Sequence, residues 1–243
     1  MDWTVWIFAA LGLVFAGVVK GTTGVGYATC ALPIVVYFVG LKPAMALILA
    51  PTLATNLSVA VSADNLKRTT QKFAPLYMAM IPGVGAGVWL LTIVDAAAAG
   101  VLLGGVMISY SLYSLAKPTL IISPSNRAWL AMPVGFVTGM ITGLTGSQVF
   151  PLVPFLLALQ MDSEETIHAI NAGVLLLTTL LGLGLLAMSL LDPTLLQISI
   201  LAVLPSLVGV EIGNRLRARL QSHHLRNLVL IIVGLMGCKM VLG

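Results

Sequence analysis

Two stretches decide how this chain is read: Gly17-Val-Val-Lys-Gly21-Thr-Thr23-Gly24 and Gly139-Met-Ile-Thr-Gly143-Leu-Thr145-Gly146. They share four of eight residues at a constant spacing of 122. Each sits at the end of a long apolar run, and each is followed by a shorter apolar run and a proline, Pro33 in one case and Pro154 in the other. A motif that recurs with its surroundings suggests that the chain is built twice. Glycine in a helix costs about 1 kcal/mol relative to alanine, so Gly24 and Gly26 together weaken a continuous helix where they stand. A helix broken inside a membrane frees backbone N–H and C=O groups, which must be buried in protein or line a wet cavity. The Gly-x-x-x-Gly spacing at 17/21 and 139/143 has a competing meaning, a small-residue face that lets helices approach closely. The hydroxyl-rich residues that follow, the short next run and the recurrence all favour a break.

The surrounding composition says what kind of solvent this chain meets. Of 243 residues, 59% are hydrophobic and 8% charged, against roughly 25% charged in soluble domains. Disorder, collagen-like structure and a soluble enzyme core are excluded, and an all-α polytopic membrane protein is expected. The net charge of +4 reflects loop placement, since no basic run carries the interleaved aromatics of a nucleic-acid surface. Cys30 and Cys238, the two cysteines, offer neither a disulfide framework nor a cysteine metal site. Met1-Asp2-Trp3 lacks the basic start of a cleaved signal, so the first apolar run is expected to stay as a helix.

Ten apolar segments can be marked, at 3–19, 27–39, 44–62, 73–94, 96–115, 128–145, 149–159, 167–191, 194–214 and 228–243. About 20 residues are needed to cross the hydrocarbon core. Segments 27–39 and 149–159 fall short and are expected to be broken or re-entrant, leaving eight to ten membrane helices. Lys67, Arg68 and Lys72, then Lys117 and Arg127, then Arg215, Arg217, Arg219 and Arg226 form three basic connections, while the turns at Asp95 and Asp192 lack Lys and Arg. Basic loops stay cytoplasmic, which places both termini outside; Lys20 falls inside, and Lys42 and Lys239 break the pattern. Trp3, Trp6, Trp89 and Trp129 are expected as interfacial anchors. Five segments precede the connection at 116–127 and five follow it, so 1–115 and 128–243 would lie upside-down relative to each other. That is the inverted repeat used by many secondary transporters. Asn56 and Asn171 in the third segments, and Pro82-x-x-Gly85 and Pro205-x-x-x-Gly209 in the fourth, extend the match.

Helix N-termini point unpaired N–H groups and a positive dipole end at what lies beyond them. Short helices starting near Gly26 and Gln148 are expected to converge on an anion, with Thr22, Thr23, Gly24, Thr145, Gly146, Ser147 and Gln148 supplying the surrounding donors and backbone. Neutral donors suit exchange, because a buried arginine would hold a doubly charged anion too tightly. The alternative for the hydroxyls is that they satisfy backbone carbonyls at the breaks. Asn56 and Asn171 would either donate to the substrate or bond across helices, and Thr52 shares a helix face with Asn56. Lys20 would attract anions to the inner vestibule, or else snorkel to the cytoplasmic interface. Glu211 and Arg215 are expected to pair, and His168 to be a solvated interfacial residue, with proton coupling as the second option for each. No catalytic constellation or metal cluster is visible, and no cofactor is expected.

The two motifs Gly17–Pro33 and Gly139–Pro154, each following the first helix of a five-segment half, together with the proline-bearing fourth segments, resemble the TauE/SafE sulfite exporter family of bacterial membrane permeases. The resemblance spans essentially the whole chain. It implies movement of sulfite, thiosulfate or related sulfonates across the bacterial inner membrane. The chain departs from the family pattern at Gly26-Tyr27-Ala28 and Gly146-Ser147-Gln148, where bulkier residues replace adjacent glycines and would reshape a cavity. An alternating-access transporter of small sulfur-containing anions is therefore expected, with lipid and the anion as partners and a homodimer among the open oligomeric states. Its rivals are an anion channel, a cation transporter (which would need carboxylate, His or Cys ligands) and an assembly protein without transport.

Overall fold

A computed structural model describes residues 3–61, 66–116, 120–217 and 222–242. Expectations resting on the side chains of Trp3, Trp6, Lys67 and Arg68, and on Lys117 and Arg219, lie outside the described residues. The described residues form helices and connecting turns, with no strand. In chain order these are α1 (Trp3–Thr23), α2 (Tyr27–Val39), α3 (Leu41–Leu47), α4 (Leu49–Val61), α5 (Leu66–Lys72), α6 (Ala74–Ile93), α7 (Ala96–Ala116), α8 (Pro124–Thr145), α9 (Leu152–Ala158), α10 (Ser163–Ala187), α11 (Pro193–Leu201), α12 (Val203–Arg217) and α13 (Ser222–Leu242). Five stretches are long and apolar enough to cross a membrane, namely α6, α7, α8, α10 and the α11–α12 pair, with shorter apolar helices in α1 and α2. The chain is an all-α polytopic membrane protein. Large apolar side chains such as Met78, Leu112, Leu204 and Leu235 are more than 60% exposed, as surfaces solvated by lipid require.

Both expected short segments are short. At 1.5 Å per residue, the 13 residues of α2 span about 20 Å of a core about 30 Å thick, and α9 is shorter still. Elsewhere the segment boundaries need correction. The third segment is not one helix from residue 44: it divides into α3 and α4 at Ile48. Pro51 has no N–H to offer the Leu47 carbonyl one turn earlier. Pro205 does the same to the Leu201 carbonyl, and α11 gives way to α12 at Ala202. The seven-residue α5, polar apart from Leu66, has no apolar run to announce it and was missed.

The packing assigns the Gly-x-x-x-Gly pairs to helix contact rather than to a break. α1 runs unbroken through Gly17 and Gly21 to Thr23, and α8 through Gly139 and Gly143 to Thr145. A Cβ at Gly17 or Gly21 would strike the Ser206 or Val210 carbonyl oxygen of α12, and one at Gly209 or Gly213 would strike Val14 or Val18 of α1. The same reciprocal seam joins α8 to α6: Gly139 and Gly143 press on Met80 and Val84, while Gly83 and Gly87 press on Phe136 and Met140. Gly85, which the sequence aligned with Gly209, faces open space instead. A third seam brings Gly104 of α7 against Gly237 of α13. Among the described residues these three are the most extensive helix pairings, and each joins a helix before residue 117 to one after residue 123. Lipid gives no hydrophobic drive for helices to associate, so close backbone approach through small residues supplies the dispersion energy. Within this frame α4 packs on α10, and both also contact neighbours of the glycine seams, α4 against α12 and α10 against α6. Asn56 and Asn171 thus lie on helices that touch.

Candidate functional site

The breaks occur just past the seams. Gly24 and Gly26 adopt φ of 80° and 93°, and Gly146 adopts 77°, a left-handed conformation that disfavours any residue with a Cβ. Gly26 caps α2, whose first intrahelical acceptor, the Gly26 carbonyl, takes the Cys30 N–H at 3.2 Å. The N–H groups of Tyr27, Ala28 and Thr29 precede that first bond and have no intrahelical acceptor. The second break behaves differently. α9 begins at Leu152 rather than near Gln148, because Pro151 has no N–H and restricts the backbone of Phe150 before it. The start of α2 therefore meets the cavity described next with Gly26 to Thr29, whereas the second break brings Gln148 and Val149, and the first turn of α9 brings Val153.

That cavity centres on Lys20, which is 3% exposed and so does not snorkel to an interface. Its ammonium donates to Asn56 Oδ1 and to Asn171 Oδ1, each at 2.7 Å. Among the described residues no carboxylate pairs with it. Both asparagines are held by their own amides: Asn56 Nδ2 donates to the Thr52 carbonyl at 2.7 Å, and Asn171 Nδ2 to the Ile167 carbonyl at 2.7 Å and the Gly24 carbonyl at 3.1 Å. Their carbonyl oxygens are thereby aimed at Lys20. The expectation that they donate toward a substrate is not what this arrangement shows; they accept from a cation. An ammonium has three N–H bonds, and two are used. Lys20, Asn56, Asn171, Gly26, Gln148, Thr29 and Tyr110 are among the residues around a cavity of about 20 Å³, room for about one water molecule. Gln148 is 2% exposed; its Nε2 donates to Thr178 Oγ1 at 2.8 Å, and its Oε1 has no partner. The Thr29 hydroxyl is likewise buried and unpartnered.

The other hydroxyls answer to the backbone. Thr22 Oγ1 lies 3.0 and 2.9 Å from the Val18 and Val19 carbonyls, Thr23 Oγ1 2.8 and 2.7 Å from Val19 and Val25, and Thr145 Oγ1 2.7 Å from Ile141. Thr145 Oγ1 also accepts the Ser147 N–H at 3.2 Å, and Thr142 Oγ1 reaches the Ser147 carbonyl at 2.9 Å. Thr22, Thr23, Thr145, Gly146 and Ser147 thus shape the two breaks and do not line the Lys20 cavity. Gly24 contributes its carbonyl to Asn171, and Thr52, 1% exposed with an unpartnered hydroxyl, contributes its carbonyl to Asn56. Sequence reasoning missed Thr29, Tyr110 and Thr178. Thr29 was within reach, one turn after Gly26 at the start of a helix; Tyr110 and Thr178 join only through tertiary packing.

The remaining ionisable residues sit away from this centre. Glu211 and Arg215 pair at 2.7 Å as expected, on an exposed surface, where such pairs contribute about 0–1 kcal/mol. His168, expected to be solvated, is only partly so: its side chain is 16% exposed, with Nε2 3.5 Å from Glu164. Lys72 reaches Glu165 at 2.6 Å, tying α5 to α10. No group of three or more His, Cys, Asp or Glu residues suited to a metal occurs among the described residues.

A buried cation held by neutral dipoles, beside helix N–H groups without intrahelical acceptors and, among the described residues, without a carboxylate, has the chemistry to accept a small anion. Taking two charges out of water separately costs several kcal/mol each, and an anion seated against the ammonium offsets much of that. No curated protein and no solved structure matches the chain. The model of the family described as sulfite exporter TauE/SafE matches residues 8–240, nearly every helix described above, and the chain belongs to that family of membrane transport proteins.

Proposed function

We propose that this protein is a secondary transporter that moves small sulfur oxyanions or sulfonates, sulfite foremost, past Lys20 by alternating access. The observation that carries the reading is the Lys20 ammonium, held between Asn56 and Asn171 with one N–H bond to spare. Lys20 supplies the charge; the start of α2 supplies neutral N–H donors at the same cavity; Gln148 and Thr29 add polar atoms without partners of their own. With about 20 Å³ around it, the site is closed, and a sulfite, with four heavy atoms, enters only when the walls separate.

The walls suit such a motion. Residues 1–115 and 128–243 form the two inverted repeats of this reading, joined through 116–127. The seam of α1 on α12 has its counterpart in that of α8 on α6, the fifth helices α7 and α13 face each other, and the third helices α4 and α10 flank Lys20. Each glycine seam is rigid because backbone meets backbone. The α4–α10 contact, which no glycine-to-backbone seam closes, is the softer joint about which the seams would rock. In this reading the membrane is a bacterial inner membrane, and the basic connections, kept cytoplasmic, support both termini lying on its outer side.

Counterflow tests the transport reading. Proteoliposomes loaded with unlabelled sulfite are expected to accumulate radiolabelled sulfite transiently and saturably. Ohmic currents without counterflow would replace the carrier by a channel, and no movement of any sulfur anion would end the reading.

A further inference from the structure

The cavity at Lys20 shares a wall with a second one. Val25, Gly26, Thr29 and Tyr110 line both. The second has a volume of about 60 Å³, against about 20 Å³ at Lys20, and is bounded by residues of α1, α2, α7 and α13. Arg226, near the start of α13, lines it and is exposed to solvent. Deeper in, Tyr110 is 9% exposed and the Thr29 hydroxyl is buried without a partner. A guanidinium at the surface, hydroxyls in the shared wall and an ammonium at the bottom make a graded series of donors. No Asp or Glu lines either cavity.

We propose that the cavity beneath Arg226 is an antechamber, where the guanidinium draws a sulfur oxyanion or sulfonate from the aqueous face before it passes between Thr29 and Tyr110 to Lys20. The proposal rests on Lys20 being the transport site and adds the route to it. A charge at the mouth of a low-dielectric cleft raises the local concentration and arrival rate of counter-ions by about 10- to 1,000-fold at its strongest, and salt screens the effect. One exposed arginine belongs at the lower end of that range. Because Arg226 lies in a basic connection, the antechamber opens on the cytoplasmic side under the positive-inside rule.

Cys30 lines the antechamber and is 3% exposed, which makes it a reporter independent of transport. In full-length protein carrying Cys238→Ser, Cys30 is treated with methanethiosulfonates bearing a sulfonate, a neutral methyl or a trimethylammonium group. The thiolate attacks the sulfenyl sulfur, a mixed disulfide forms and methanesulfinate leaves, so the three reagents differ in charge at a common chemistry. With each rate divided by that of the same reagent with a free thiol in solution, the sulfonate reagent is expected to label about tenfold faster than the cationic one. Arg226→Gln or 0.5 M NaCl should abolish the preference, and Arg226→Lys should keep it. Equal rates, a preference indifferent to Arg226→Gln, or labelling by the neutral reagent alone would overturn the antechamber. Lys20→Met separates the two ideas: it should silence transport and leave the Cys30 labelling preference standing. A chain that labels with this charge preference but never transports retains the antechamber as an anion pocket and loses the transport reading.

Discussion

The stretch ending at Gly24 and the stretch ending at Gly146 are built on the same glycines, yet only the first carries a charge. At the shared positions the two regions behave alike: Gly17 and Gly21 are seated on α12 as Gly139 and Gly143 are seated on α6. Where the residues differ, the structures part. Lys20 reaches across to Asn56 and Asn171, whereas its counterpart Thr142 turns back onto Thr138 and Ser147. The first break opens into a 13-residue helix whose start faces the cavity; the second continues irregularly to Pro151 before seven helical residues follow. Two similar motifs thus differ in that the first carries a cation near the contact of α4 and α10. On the repeat reading, the frame is common to the two motifs, and the difference at one position supplies the charge.

The shared part of that comparison breaks most readily at the seams. Gly21→Leu and Gly143→Leu each force a side chain into a neighbouring backbone carbonyl, and both should abolish recovery of monodisperse protein in detergent. Gly21→Ala, with one added carbon, is expected to cost about 2 kcal/mol, the overpacking scale, read as a lower thermal midpoint. Gly85→Ala, whose Cβ meets nothing within 4 Å, should be neutral or gain up to about 1 kcal/mol from helix propensity. If Gly21 tolerated leucine while Gly143 did not, the two seams would not be equivalent and the repeat reading would weaken.

The divergent part can be sharpened at the asparagines. Each accepts a charge-assisted hydrogen bond, a class worth about 1.5–3 kcal/mol, so Asn56→Ala and Asn171→Ala should each destabilise the fold by about that amount. Asn171 also holds the Gly24 carbonyl of the first break, so its loss is expected to be the larger by about 1 kcal/mol. Equal effects would mean that the bond to Gly24 contributes nothing.

The fold and the site were legible in the sequence to different depths. Composition and the length of apolar runs report the solvent, so the helical membrane class and the shortness of 27–39 and 149–159 could be read without coordinates. Gly24, Gly26 and Gly146 marked both breaks because a left-handed backbone leaves few residues to choose from. The meaning of Gly-x-x-x-Gly was not legible, since a breaking glycine and a packing glycine look alike until the partner helix is known. Lys20 was ambiguous for a related reason. A lysine near a helix end is read as snorkelling unless something buries it, and here one of the residues that bury it stands 151 positions away. Asn56 and Asn171 were identified as a pair, but their partner was not, because neutral donors alone were expected at an anion site. The kinks at Ile48 and Ala202 follow from Pro51 and Pro205, whose effect falls one turn upstream of where the eye stops.

Lys20 as the anion's counter-charge is the claim on which the rest depends, and a binding measurement with Lys20→Met reaches it most directly. Methionine preserves the length and apolar volume of the lysine stem while removing the ammonium. Purified wild-type protein titrated with sulfite in detergent should show a thermal midpoint that climbs with sulfite concentration, as linkage requires for a ligand of the folded state. Lys20→Met should fold and show no such climb at any concentration tested. A folded Lys20→Met protein stabilised by sulfite to the same degree as the wild type would contradict the account.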